Sequence, residues 1–377
     1  MKSDPLRVLL VAGARPNFMK VAPILQALGE RGHEPVLVHT GQHYDLQMSD
    51  AFFRDLGLPE PDYHLGVGSG SHAVQTARIM EAIEPVLSEV AAHWLVVVGD
   101  VNSTLGAALV ASKLPSDGGD RTRIAHVEAG LRSGDWAMPE EVNRVLADRL
   151  SDVLLTPSRD AGRNLEAEGI PEDRIAFVGN VMIDALLQQL PQARQRNLPG
   201  DLGVDRGAYV AATLHRPSNV DDPERLSGVL ESLAAVGRDL DVPVVLPLHP
   251  RTQARVEAFQ LEDLLDPLHA IPPAGYVEMI SLMEGAGLVL TDSGGVQEET
   301  TALGIPCVTL RKETERPVTL KEGTNHLAPW PPSPEAVLGV AREAWHQGRK
   351  RLGAGPEGWD GRAGNRIVEE LEARASG

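Results

Sequence analysis

Several acids and cations of this 377-residue chain stand where short apolar runs end. Asp100 closes VVVGD, Glu128 closes RIAHVE, and Glu140 follows a proline in PEEVNR. A carboxylate among apolar neighbours is desolvated, which raises its pKa toward the range of a general acid or base. Glu140 and Glu141 also mark a helix start, where acids are favoured anyway, and Glu140 precedes Arg144 by the spacing of a helical ion pair. The acids therefore admit a catalytic reading and a structural one. Cations follow other runs: Arg15 and Lys20 in GARPNFMK, His215 and Arg216 in LHRPSN, His249 and Arg251 in LHPR. Such groups suit a diphosphate.

The stretch DSGGVQEE (292–299) combines both signs of chemistry. Ser293, Gly294 and Gly295 follow an apolar run and open a helical pattern that closes on Gly304, a suitable C-cap. Free N–H groups at a helix N-terminus attract phosphate. Two glycines with Ser293 as a cap also make an ordinary turn, and the loop alone supports either reading. Successive helical side chains diverge by about 100°, so Glu298 and Glu299 cannot serve one atom. An acid one turn from a bound diphosphate is placed to accept hydrogen bonds from ribose hydroxyls, by the logic of dinucleotide folds. This loop is not a GxGxxG fingerprint and no GxxxxGK[ST] occurs in the chain, so it supports neither a dinucleotide nor a P-loop reading.

The elements that must hold these residues alternate along the chain. RVLLVAG, EPVLVHT, WLVVVGD and TRIAHVEA read as buried parallel strands, with FMKVAPILQALGE, SHAVQTARIMEAIEPVLSEV and TLGAALVASKL as helices between them. The pattern restarts with YVAATLH, PVVLPLH, GLVLTD and IPCVTL, which predicts two doubly wound α/β domains. Ligands of such sheets bind beyond the carboxyl ends of the strands, where the ionisable residues cluster. The polar stretch 188–209 reads as a surface connection and the tail as a closing helix.

Composition narrows the function classes. A net charge of −18 argues against nucleic acid and anionic membranes, which need a basic face. Cys307 is the only cysteine, so no intrachain disulfide or cysteine metal cluster forms; within GIPCVTL it reads as a buried, inert thiol. No His or carboxylate set has metal-ligand spacing. The first apolar run is too short for a signal peptide or membrane span, which predicts a cytoplasmic protein.

Together and in order, GARPNFMKVAP, TGQHYD, GDVNST, HVEAGLRSGD, PEEVNR, GNVMIDAL, HRPSN, DSGGVQEE, LGIPCVTLR and TERPVTLKEGTN resemble the non-hydrolysing UDP-N-acetylglucosamine 2-epimerases. The resemblance implies a GT-B fold, two Rossmann-like doubly wound parallel-sheet domains with an inter-domain cleft. Residues 1–176 with a crossing helix in 357–377 would form the first domain, and 177–356 the UDP-binding second. It implies a homodimer that interconverts UDP-GlcNAc and UDP-ManNAc through UDP and 2-acetamidoglucal, with no cofactor and no metal. Carried over by position, Asp100, Glu128, Glu140 and His215 are catalytic. Arg15, Lys20, Arg132, His249, Ser293, Gly294, Gly295, Glu299 and Arg316 bind the UDP-sugar. Departures stand beside the matches: Asn17 replaces an acid, and QHYDLQMSD keeps only the start of a motif that binds an activating UDP-GlcNAc, so that activation is expected to be altered or absent. Related enzymes act on UDP-2,3-diacetamido uronic acids. A UDP-sugar glycosyltransferase, a hydrolysing epimerase and a catalytically silent nucleotide-sugar sensor are the alternatives; the trio Asp100, Glu128 and Glu140 argues against the first.

Overall fold

The computed structural model describes residues 4–42, 56–114, 121–353 and 355–375, and of Arg15 the backbone only. His43 and the rest of QHYDLQMSD after Gln42 lie outside the described residues. The chain forms two compact units, Met1–Ala185 with Glu357–Gly377, and Leu186–Pro356.

In the first unit the strands are β1 (Arg7–Ala12), β2 (Glu34–His39), β3 (Tyr63–His64), β4 (Trp94–Val98), β5 (Arg123–Val127), β6 (Val153–Thr156) and β7 (Ile175–Phe177). They pair in parallel in the order β3-β2-β1-β4-β5-β6-β7. The second unit holds β8 (Val210–Thr213), β9 (Val244–Pro247), β10 (His269–Ile271), β11 (Leu288–Thr291), β12 (Cys307–Thr309) and β13 (Asn325–Leu327), in the order β10-β9-β8-β11-β12-β13. A parallel sheet covered by helices on both faces buries every side chain of its central strands, which is why these strands read as unbroken apolar runs. In β4 no residue exceeds 1% exposure. Cys307 is fully buried in β12, and burial pushes its thiol up to about 12.

The eight expected strands form, each trimmed by a residue or more. β3, β6, β7, β10 and β13 are additional; they are two to four residues long and too short for a periodic signal. The 188–209 stretch is largely helical rather than loop, continuing as Val181–Arg196 and Leu198–Asp201. Among the described residues no helix is long and apolar enough to cross a membrane.

In each unit the strand order reverses between the first strand and the fourth, β1 and β4 or β8 and β11. That switch point opens a crevice at the carboxyl ends of those strands. The loop that leaves β1 leads into Asn17 in the first turn of helix Arg15–Arg31, the loop after β4 carries Asp100, and those leaving β8 and β11 carry His215 and Asp292.

The tail completes the first unit. Helix Ala363–Ala375 lies on helix Arg15–Arg31, close enough that a Cβ at Gly364 would come 2.8 Å from the Pro23 carbonyl oxygen. Arg31 pairs with Glu369 and Glu372 at 2.6 and 2.8 Å. The buried Asp184 carboxylate accepts from the Ala363 and Gly364 N–H groups at 3.1 and 2.8 Å, satisfying orphan donors of the tail helix. Burial pushes that carboxyl up to about 6, from an ordinary 3.8. The protonated form thus suits the fold better. The stability this adds is complete below pH ~4 and is lost as pH rises through 6, by up to about 3 kcal/mol. Asp184→Asn removes the titration, so the variant should gain on the parent between pH 4 and 6 and keep a constant lead above 7. Melting curves at pH 4, 5, 6 and 7 check this; a difference independent of pH would refute it.

Candidate active site

At the first switch point the loop after β1 is closed by Asn17. Its Oδ1 accepts from the Gly13 and Ala14 N–H groups at 3.1 and 2.9 Å, and its Nδ2 donates to the Val98 carbonyl at 3.1 Å. A carboxylate could make the first two bonds but not the third, so the amide here joins the exits of β1 and β4. Three residues on, Lys20 forms a buried ion pair with Glu128 from the end of β5. Gly99 lies against that pair: a Cβ there would stand 2.7 Å from Lys20 Nζ.

Glu128 has φ +69°, the left-handed region that costs a non-glycine residue about 1–2 kcal/mol. The Glu128 and Ala129 N–H groups both donate to the Leu155 carbonyl, at 3.1 and 3.2 Å, and hold the turn. Strain of this kind concentrates where a side chain must be aimed.

Asp100 receives the Arg144 guanidinium at 2.5 Å. The partner of Arg144 on its own helix, Pro139–Leu150, is the buried Glu141 at 2.8 Å, where spacing had suggested Glu140. Glu141 also accepts from the Ser133 and Gly134 N–H groups at 3.0 and 2.9 Å. Burial opposes its charge, but these bonds and Arg144 hold its carboxyl below the usual value. Glu140 is half-buried at the helix start. Asn143 donates to the Asp100 carbonyl at 2.9 Å, so this one helix braces Asp100 through both side chain and backbone. Arg132 is held by Glu168 at 2.6 Å and Asp148 at 2.7 Å. Burial works against its charge, but the two acids outweigh it and raise its pKa.

In the second unit the organising group is Asp292, fully buried after β11. It accepts from the His215 and Arg216 N–H groups at 3.1 and 2.9 Å and from Asn219 Nδ2 at 3.1 Å, and meets His215 Nδ1 at 3.0 Å. Burial alone would favour its protonated form; His215 and these donors reverse that and hold it low. The His249 ring lies 5.6 Å from that of His215 and caps helix Pro250–Phe259, accepting from the Arg251 N–H at 3.2 Å.

Ser293 sits at the N-cap of helix Gly294–Leu303 but makes no side-chain cap bond; its N–H donates to Thr291 Oγ1 at 2.9 Å. Gln297 joins the loop to its neighbours, donating to the Ser293 carbonyl at 3.1 Å and accepting from Thr314 Oγ1 at 2.6 Å. Glu298 pairs with Arg316 Nε at 3.0 Å. Arg316 in turn lies over Gly294, where a Cβ would meet its Nη1 at 2.8 Å. Burial, then the charges of Arg311 and Arg316, lowers the pKa of Arg216. Three guanidiniums thus gather by a helix N-terminus, an arrangement that suits an anion. Glu299 is buried and accepts from the Tyr276 hydroxyl at 3.0 Å; burial pushes its carboxyl up to about 8.

The structure therefore gathers Lys20, Asp100 and Glu128 in the first unit and His215, His249, Ser293, Gly294, Glu298, Glu299 and Arg316 in the second. Arg15 opens helix Arg15–Arg31, and its side chain is outside the described residues. Gly295 follows Gly294 in the first turn of its helix. Sequence reasoning left Glu298 without a role and did not single out Gln297, Tyr276 or Asp148. Gln297 and Asp148 stand among other polar residues and Tyr276 follows a glycine, so none carried a local signal.

Comparison with known proteins bears on the family and the fold. The sequence model of the family UDP-N-acetylglucosamine 2-epimerase matches residues 26–372. A UDP-N-acetylglucosamine 2-epimerase of Methanocaldococcus jannaschii is 41% identical over 97% of this chain and 99% of its own. A UDP-2,3-diacetamido-2,3-dideoxy-D-glucuronate 2-epimerase of Pseudomonas aeruginosa is 45% identical over 82% of this chain and 84% of its own. The crystal structure of the Methanocaldococcus jannaschii UDP-GlcNAc 2-epimerase in complex with UDP-GlcNAc and UDP superposes with a TM-score of 0.86 at 40% identity, covering 98% of this chain and all of that one. Two parallel-sheet domains of this kind make a GT-B fold. The chain belongs to the UDP-N-acetylglucosamine 2-epimerase family.

Proposed function

We propose that this chain inverts C2 of UDP-N-acetylglucosamine without hydrolysing it. The observation that carries the reading is the first switch point: the buried Lys20–Glu128 pair, with Glu128 on strained backbone, beside an Asp100 braced by Arg144. Inversion at C2 requires a proton to leave one face and another to arrive on the opposite face, so at least two acid–base groups are needed. Asp100, Glu128 and Glu140 are the candidates. Abstraction of the C2 proton, with cleavage of the bond from C1 to the diphosphate oxygen, yields 2-acetamidoglucal and UDP. Re-addition of the UDP oxygen to C1, with protonation of C2 from the other face, yields UDP-N-acetylmannosamine.

The leaving group carries its negative charge away in this scheme, so the enzyme must stabilise departing diphosphate. In the second unit, the helix start at Ser293–Gly295, with Arg316 and His215, supplies that stabilisation, and Glu299 meets the ribose. Glu298 acts at one remove by holding Arg316. The 45% identity to the Pseudomonas aeruginosa enzyme supports a second reading, the same inversion on a UDP-2,3-diacetamido uronate.

The chemistry is checked by incubation in D2O with each UDP-sugar, followed by NMR. The C2 epimer should appear with deuterium at C2 and with UDP still attached. Free N-acetylmannosamine with UDP, or no turnover of either sugar, would overturn the proposal, and kcat/KM on the two sugars chooses between the readings. Asp100→Asn and Glu128→Gln should each lower kcat about a hundredfold or more; near-parent rates in both would remove them from the mechanism. Glu298→Gln should weaken UDP binding about tenfold, a loss of about 1.4 kcal/mol, with a smaller effect on kcat. Titration calorimetry with UDP measures this, and unchanged affinity would show that Arg316 does not need its partner.

A further inference from the structure

His126 is a wholly buried imidazole in β5, two residues before Glu128, with apolar Ala125 and Val127 on either side. Its Nε2 lies 2.8 Å from the Gly99 carbonyl oxygen and its Nδ1 2.6 Å from Asp148 Oδ1. Both nitrogens face oxygen acceptors, so both donate. Asp148, 1% exposed on helix Pro139–Leu150, turns its other oxygen to the Gly130 N–H at 3.2 Å and to Arg132 at 2.7 Å. β5 therefore grips Gly99 twice: the Gly99 N–H donates to the Val127 carbonyl at 3.0 Å, and the Gly99 carbonyl is held by the ring.

The two turns joined in this way carry the proposed acid–base groups. Gly99 precedes Asp100, and Gly130 follows Glu128 by two residues. Gly99, Glu128 and Gly130 all have left-handed φ, at +65°, +69° and +81°. Such turns hold a side chain in place only if their surroundings over-determine them.

We propose that His126 and Asp148 are positioning residues, a buried ion-paired tie that fixes the Gly99–Asp100 turn against the Glu128–Gly130 turn so that both carboxylates keep their aim. The inference rests on reading Asp100 and Glu128 as the reacting groups. Helix Pro139–Leu150 then serves both acids, reaching Asp100 through Arg144 and the Glu128 turn through Asp148. A buried pair of this kind adds little net stability against an apolar replacement; its value here is register.

Two isosteric variants separate the contacts. Glutamine places its amide nitrogen near the position of Nε2 and can still donate to the Gly99 carbonyl. Asparagine matches Nδ1 and can reach only Asp148. In hydrogen–deuterium exchange on the full chain, His126→Asn should raise exchange about tenfold or more in segments 97–104 and 126–134, with segments of the second unit unchanged. The same variant should lose about thirtyfold in kcat with KM and UDP affinity within about twofold, while His126→Gln, which keeps Gly99 and releases Asp148, should lose a smaller part of kcat and raise exchange in segment 126–134 alone. Exchange in both segments equal to the parent, or kcat of His126→Asn within twofold of it, would overturn the proposal. A glutamine variant with parent exchange in segment 126–134 and parent kcat would remove Asp148 from the tie and overturn the proposal as well. A parent chain that turns over neither UDP-sugar would refute the proposed reaction, while the exchange result would still decide whether the tie exists.

Discussion

Parallel strands can be joined only by crossovers, and these crossovers are right-handed. That constraint sends the carboxyl end of every strand to one edge of its sheet and reverses the strand order at β1–β4 and again at β8–β11. At those two points neighbouring loops diverge, leaving backbone groups open to a ligand. The residues with chemistry stand there because the central strands are mostly apolar and covered on both faces, and a polar side chain within them, such as His126, needs a buried partner of its own. A polar group elsewhere along β4 or β11 would need a buried partner it does not have.

Charge at the switch points is affordable only through pairing. Lys20 answers Glu128, Arg144 answers Asp100 and Glu141, and Arg316 answers Glu298. Burying an ion without a partner costs several kcal/mol, and that cost explains the density of pairs better than any gain in stability. The pairs also assign direction. Asp292 turns its oxygens to the loop after β8 and so fixes the shape of that loop. Glu315 does the same for Arg311, which it meets at 2.8 Å through both oxygens. The acids beside the glycine pair brace its surroundings: Glu298 holds Arg316, and Asp292 holds the loop after β8.

Much of this was legible in one dimension. The strands with unbroken apolar runs, the glycine pair after β11 and the acids ending β4 and β5 all carry local signals, since burial on two faces and tight turns restrict residue type directly. Strands β3 and β13 were not legible: Tyr63–His64 and Asn325–Leu327 are short, polar in part, and exist only because a neighbouring strand offers a ladder. The pairing of Arg144 was misdirected by helical spacing toward Glu140, because the choice between two adjacent glutamates depends on which one the loop 133–134 covers. His126 gave no spacing signal at all; its meaning depends on Asp148, 22 residues on.

The sequence by itself determined the fold class, the two-unit organisation and the residue types at the strand ends, because period, apolar runs and glycine positions are set by local sterics and burial. Tertiary structure alone decided which carboxylates face partners and which support the loops. Glu298 holds Arg316, Asp148 spans His126 and Gly130, and Asn17 joins β1 to β4 through one amide. Those roles arise from contacts between residues far apart in the chain, and long-range contacts leave no period to read.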